Sequence, residues 1–236
     1  MKVTYLYHSG FAVETTSHFL VFDYWKNTPK NGSLKDGVIN PNEIADKDVI
    51  VFSSHRHRDH YNSVIHDWQK VIKKCRIILS FDIDPVEGSK MVEPNQIYEE
   101  KDFTLTTFKS NDEGVAFLLD IDGLTIYHAG DLNWWHWEGE PGSWNEDIKE
   151  SYLHEIRLIK RDNISIAFVT LDPRLKEQYY WGLDYFMKNI NAKYVFPMHF
   201  LNKPEIVEKL LEADSSKDYR ARIIPLTSRG QSIELI

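Results

Sequence analysis

The run Ser53-Ser54-His55-Arg56-His57-Arg58-Asp59-His60 places three imidazoles and one carboxylate within six positions. Neutral imidazole nitrogens and anionic oxygens are donors that suit zinc, manganese or iron. A cation held there could activate water against an electrophilic carbonyl or phosphorus atom. A solvated polar loop could carry the same residues, so the other potential ligands matter. Asp131 follows Gly130 after an apolar stretch, and His199 follows the run Tyr194 to Met198. Singly, a surface Asp or a packed His is ordinary. Placed just beyond strands, both could be returned by the fold to the first cluster.

Such side chains need rigid elements to aim them. Val49 to Ser53 reads as a compact apolar strand with the histidine run at its carboxyl end, a position from which side chains face a cleft. Val3 to Asp23 reads as short strands broken at Ser9-Gly10 and near Thr16-Ser17. The polar segment from there to about Asp48 reads as a surface loop or lid-like insertion. Ser63 to Lys73 has helical spacing, and Cys75 to Phe81 is β-prone. Three further strands are expected over Phe103 to Phe108, Val115 to Asp120 and Thr125 to Ala129, with Asp122-Gly123 as a hairpin turn. Ile148, Tyr152, Ile156 and Ile159 share one face of a helix spanning roughly Asn145 to Lys160. Strand, helix and strand follow at Ile164 to Thr170, Tyr180 to Ile190 and Tyr194 to Phe196. A helix is expected after Pro204, and terminal strands over Arg222 to Leu226 and Ser232 to Ile236. This mixture of meander and intervening helices indicates a layered α/β architecture over a single domain, residues 1–236.

Composition narrows the partners. The 236 residues are 42% hydrophobic, enough for a substantial core, and the formal charge is -8. A broad cationic surface for nucleic acid is therefore not expected. Cys75 is the single cysteine, so no disulfide forms within the chain, which suits a reducing compartment. The opening MKVTYLYHSGFAVET lacks a continuous apolar core, and no uncharged run is long enough for a bilayer, so a cytoplasmic location without membrane association is expected.

With the His8-Ser9-Gly10-Phe11 turn, Asp23, the histidine run, Gly130-Asp131 and His199 all on the page, the chain resembles the metallo-β-lactamase superfamily. The resemblance is to the broad group of metal-dependent hydrolases that includes ascorbate-phosphate lactonase-like proteins and nucleic-acid-processing relatives. It implies a four-layer αββα sandwich. It also implies that one metal position takes His55 and His57 and a second takes Asp59, His60 and His199, with Asp131 bridging the two. Asp23 would support the imidazoles from behind, and His8 would either line the back of the site or play a structural part. The implied cofactor is one or two divalent ions, zinc foremost, with manganese or iron as alternatives. Asp59 and Asp131 are the candidate catalytic carboxylates, chiefly as metal ligands and secondarily in proton transfer.

The chain departs from the family pattern near Ser110-Asn111, where a third histidine of the first position would fall; no histidine occurs between His66 and His128. Asp112 or Glu113 could substitute, the first position could be weak, or the pair could merely shape a turn. After Asp131, the indoles of Trp134, Trp135 and Trp137, together with His136 and Glu138, either wall a substrate pocket or pack a structural loop. Arg56, Arg58 and Lys109 could neutralise an anionic substrate or support an exposed surface. The leading expectation is a hydrolase of a small lactone, amide or phosphate ester. A nuclease processing RNA or phosphodiesters is one alternative, and a non-catalytic metal- or metabolite-binding protein is another. A β-lactam hydrolase is disfavoured by the lack of an export segment.

Overall fold

The computed structural model describes residues 1–236, and the architecture is α/β with two mixed sheets. The chain forms two compact units, residues 1–93 with 227–236, and residues 94–226. No helix is long and apolar enough to cross a membrane.

The first unit holds β1 (Lys2–Tyr7), β2 (Gly10–Glu14), β3 (His18–Phe22), β4 (Asp48–Ser53), β5 (Lys74–Ser80), β6 (Ser89–Val92) and, from the far end of the chain, β13 (Ser232–Glu234). Their order in the sheet is β13-β1-β2-β3-β4-β5-β6. The pairs from β13 to β3 are antiparallel and those from β3 to β6 parallel. Parallel strands are ordinarily covered on both faces and read as unbroken apolar runs. The Phe19 to Phe22 and Val49 to Phe52 runs are such sequences and are buried throughout. Because β3 and β4 run side by side in the same direction, Asp23 and Ser54 emerge at the same sheet end. The Asp23 amide donates to the Phe52 carbonyl at 2.9 Å.

In the second unit are β7 (Ile97–Glu99), β8 (Phe103–Lys109), β9 (Val115–Ile121), β10 (Leu124–His128), β11 (Ile164–Thr170) and β12 (Ala192–Met198), in the order β12-β11-β10-β9-β8-β7. Here β10, β11 and β12 are parallel, so the segments after them, which carry Asp131, Asp172 and His199, leave from one end. The Asp122-Gly123 turn joins β9 to β10 with both residues at positive φ, 50° and 74°, the two-residue geometry that matches strand twist. Helix α2 (Gly142–Leu158) buries Tyr152, Leu153 and Ile156, and its Tyr152 hydroxyl donates to the Gly182 carbonyl of α3 (Trp181–Asn189) at 2.7 Å. Helix α4 (Glu205–Glu212) begins after Pro204 as its sequence indicates.

Three expectations need correction. The helix expected over Ser63 to Lys73 is a single turn, α1 (Ile65–Trp68), although Ile65, Trp68 and Ile72 are all buried as their spacing requires. Arg222 to Leu226 is no strand; a 3-10 turn covers Arg220–Arg222, and Ile223 makes one isolated bridge to Val195. The segment from Tyr24 to Lys47 is not a lid but a fastened insertion with two 3-10 turns, Leu34–Asp36 and Pro41–Ile44. Its Tyr24, Ile39 and Ile44 belong to the same apolar cluster as Val51, Trp68 and Leu79. Arg229 fastens it further: the guanidinium donates to the carbonyls of Leu6 (2.6 Å) and Gly37 (2.8 Å), and to those of Lys26 and Thr28. Gly37 sits at φ 67°, and a side chain there would collide with Arg229 and the Leu6 carbonyl.

Charge-assisted hydrogen bonds contribute about 1.5–3 kcal/mol each but do not add fully. Replacing Arg229 by Ala is expected to cost about 3 kcal/mol, seen as a lower urea midpoint, with partial recovery in Arg229→Lys. An unchanged midpoint would show that the insertion holds itself without the guanidinium.

Candidate metal centre

In the first unit the donors are arranged by one buried carboxylate. Asp23 accepts from the Ser54 amide (2.8 Å), from the Ser54 hydroxyl (2.7 Å) and from Nδ1 of His60 (2.7 Å). An ionised carboxylate can only accept, so the Ser54 proton and the His60 Nδ1 proton both point at it. With its proton committed, Ser54 Oγ accepts from Nδ1 of His55 at 3.0 Å. Both rings are thereby held as Nδ1–H tautomers, and in each the Nε2 atom carries the lone pair. The His55 ring lies 4.1 Å from that of His60 and 4.7 Å from that of His57, centroid to centroid. His8 places Nε2 3.2 Å from Asp59 Oδ2. Burial acts to raise the Asp59 carboxyl, but the His8 hydrogen bond and the neighbouring imidazoles outweigh it and hold the group well below the usual carboxylate range.

The second unit repeats the device. Asp172, just past β11, accepts from His199 Nδ1 at 2.9 Å. It also accepts from the Arg174 amide (2.8 Å) and side-chain Nε (2.8 Å). Burial alone would raise the Asp172 carboxyl, yet the bonds from His199 and Arg174 lower it to about 2, so it is an anion at any ordinary pH. His199 is oriented with Nε2 3.2 Å from Asp131 Oδ1. That contact is either an ion pair with imidazolium or a lone pair and a carboxylate oxygen turned toward the same space. The second arrangement is a nitrogen and oxygen donor set for a divalent cation, and the chain's single thiol is not among the donors.

Three of the residues involved, His8, Asp23 and His199, sit in the left-handed backbone region at φ 57°, 45° and 71°. Non-glycine residues adopt it only where the surroundings enforce it.

The position of the absent third histidine has another use. Asn111 Nδ2 donates to the carbonyls of Asn133 (2.8 Å) and Ile148 (3.2 Å), and its Oδ1 accepts the Asn133 amide (3.2 Å). Asn111 therefore braces the loop after Asp131. Ser110 is buried and accepts the Asp112 amide, whereas Asp112 itself is exposed and lines a cavity of about 200 Å³ together with Asp131. Glu113 is half-buried and is not among that cavity's walls.

The tryptophan run divides by alternation. Trp135 and Trp137, parallel within 3°, line the Asp131 cavity, where the Arg174 guanidinium carbon lies 5.6 Å from the Trp137 ring centre. Trp135 also donates from its indole nitrogen to the Asp131 carbonyl at 2.9 Å and meets His199 edge-on. Trp134 and His136 instead line a separate cavity of about 550 Å³ with Trp181. Lys109 lies in neither; its amide is held by the buried Glu155. Sequence reasoning gave no role to Ser54, Asp172 or Arg174. Asp172 had the available signal, a carboxylate immediately beyond a strand, the same position that marked Asp131.

Residues 2–135 match the family model for the beta-lactamase superfamily domain. A UPF0173 metal-dependent hydrolase of Bacillus velezensis is 27% identical over an alignment covering all of both chains. The structure of Igni18, a metallo hydrolase of Ignicoccus hospitalis, matches with a TM-score of 0.64 at 16% identity, covering 100% of this chain and 99% of that one. YhfI of Bacillus subtilis, a metallo-beta-lactamase fold protein, matches with a TM-score of 0.59 at 15% identity over 99% of each. The likeness to these two structures is one of fold.

Asp23→Asn keeps the volume but replaces one of the two accepting oxygens with an NH2 group, which donates and cannot accept. Loss of such an orienting partner typically weakens metal affinity by about 10–100-fold, and a loss of that size is expected in competition with a chromophoric chelator. Unchanged affinity in a folded variant would mean that Asp23 does not orient the rings.

Proposed function

The chain belongs to the metallo-β-lactamase superfamily, and from that premise we propose that it is a metal-dependent hydrolase of a small lactone, amide or phosphate ester. The observation that carries this reading is the fixed tautomer of three histidines. Carboxylates or a committed hydroxyl engage Nδ1 of His55, His60 and His199, leaving Nε2 of each as the donor. The proposed ligands are His55, His57, Asp59, His60, Asp131 and His199, for one or two divalent cations. The donor chemistry suits zinc, with manganese or iron as alternatives. Once bound, such a cation supplies activated water and Lewis-acid polarisation of the bond to be broken.

The remaining steps belong to the protein. Asp23 and Asp172 hold the rings so that no reorientation is needed when charge develops. Asp59 and Asp131 supply negative charge, and either can receive a proton in turnover as a secondary role. Trp135 and Trp137 offer flat apolar walls beside Asp131 for the organic part of a substrate. Asp112, on the same cavity, is the proposed substitute for the absent histidine, and His8 is a positioning residue for Asp59.

Elemental analysis with anomalous scattering at the metal edges tests the assignment directly. His55→Ala/His57→Ala is expected to lose most bound metal and hydrolytic activity, while His136→Ala keeps its metal. Because the ligands bind as neutral imidazoles and carboxylates, acidification should release metal from the parent protein. Full metal content in the double variant would sink the ligand assignment.

A further inference from the structure

The histidine run carries two residues that the proposed ligand set does not use. Arg56 and Arg58 alternate with the donors, and both line a cleft of about 700 Å³ in the first unit with Lys26. The rest of its lining is neutral: Trp25, Asn27 and Thr28 from the fastened insertion, and Tyr61, Asn62 and Ser63 after the histidine run. No carboxylate lines this cleft, although the chain carries 36 acidic residues against 28 basic ones. The other four main cavities each include at least one Asp or Glu. Three cationic side chains thus share walls that include no carboxylate, on a chain whose overall charge is negative.

The walls are fixed before any ligand arrives. Arg229 holds the carbonyls of Lys26 and Thr28 on one side. Asn62 Nδ2 donates across the cleft to the Trp25 carbonyl at 2.7 Å, and the Arg56 amide donates to Asp82 at 2.9 Å. Lys26 Nζ stands 4.0 Å from the Tyr7 ring centre, which limits where its charge can go.

We propose that this cleft is an oxyanion subsite, in which Arg56, Arg58 and Lys26 bind a phosphate or carboxylate group of a small anionic substrate. Guanidinium groups match the planar spacing of such oxygens, and Tyr61, Asn62 and Ser63 bring neutral hydrogen-bonding groups. The assignment as a substrate subsite rests on the hydrolase reading above. The net charge of -8 argues for a small anion over an extended polyanion, whose many phosphates would meet the acidic remainder of the surface.

The test measures calorimetric binding of inorganic phosphate and of acetate to the full chain at low ionic strength. The proteins compared are the parent, Arg56→Gln/Arg58→Gln and His55→Ala/His57→Ala, with metal content and melting temperature recorded for each. Phosphate affinity is expected to fall about tenfold or more in the arginine variant, with metal content and melting unchanged, and to persist in the histidine variant. Comparable binding of acetate would point to a carboxylate, and its absence to a phosphate; both support the subsite. Phosphate binding unchanged by the arginine variant overturns the proposal, as does binding lost only with the histidines, which would make phosphate a ligand of the metal. Tighter, arginine-dependent binding of a 20-nucleotide RNA would overturn the small-substrate assignment. Arginine-dependent phosphate binding in a parent protein that takes up no metal would instead defeat the hydrolase reading and leave the anion site standing.

Discussion

A buried carboxylate that accepts from three donors ties those donors to one another. Asp23 does this for the Ser54 amide, the Ser54 hydroxyl and the His60 ring, groups 31 and 37 residues away in the chain. Moving any of them would strip a hydrogen bond from a buried anion, among the more expensive changes in a protein interior. The His55 tautomer follows at one remove, through a hydroxyl whose only proton is already committed. The second unit uses the same construction: Asp172 follows β11 and engages His199, which follows the adjacent parallel strand β12, as Asp23 follows β3 and engages His60 beyond β4. In each case a parallel strand pair brings two strand ends level, so the holding carboxylate and the held ring start from the same edge of a sheet.

That placement has a conformational cost. His8, Asp23 and His199 each adopt a left-handed backbone, worth roughly 1–3 kcal/mol apiece for residues with side chains. The neighbouring strands offset it, since β3 is buried throughout, β4 from Val49 to Ser53 and β12 from Val195 to Met198. These three strained positions fall at residues that hold or present a donor, and the regular sheet beside them keeps them from relaxing.

Legibility in the sequence followed distance along the chain. The histidine run could be read because its donors are adjacent, and the strands around it because apolar runs of that length have few alternatives. Asp172 was missed because a lone carboxylate after a strand acquires meaning only when the partner strand brings His199 beside it. The apolar spacing after Ser63 correctly marked Ile65, Trp68 and Ile72 for burial but not the backbone between them, because one turn of helix followed by further turns buries the same side as a longer helix. The 222–226 segment has strand composition, yet Ile223 finds only a single bridging partner, and composition says nothing about partners. In the tryptophan run, the sequence left pocket wall and structural loop equally open, because which rings share a cavity depends on the dihedrals of an irregular loop.

That loop works as a two-sided partition. Odd-numbered indoles face the Asp131 cavity and even-numbered rings face the cavity beside Trp181, while Asn111 and Asn145 pin the strip at its two ends. Because both ends of the strip are pinned, adding or deleting one residue between them would have to be absorbed within the strip itself, displacing rings that wall both chambers. Variation in this stretch would therefore remodel two chambers together, and point substitutions, not length changes, are the means by which either could diverge alone.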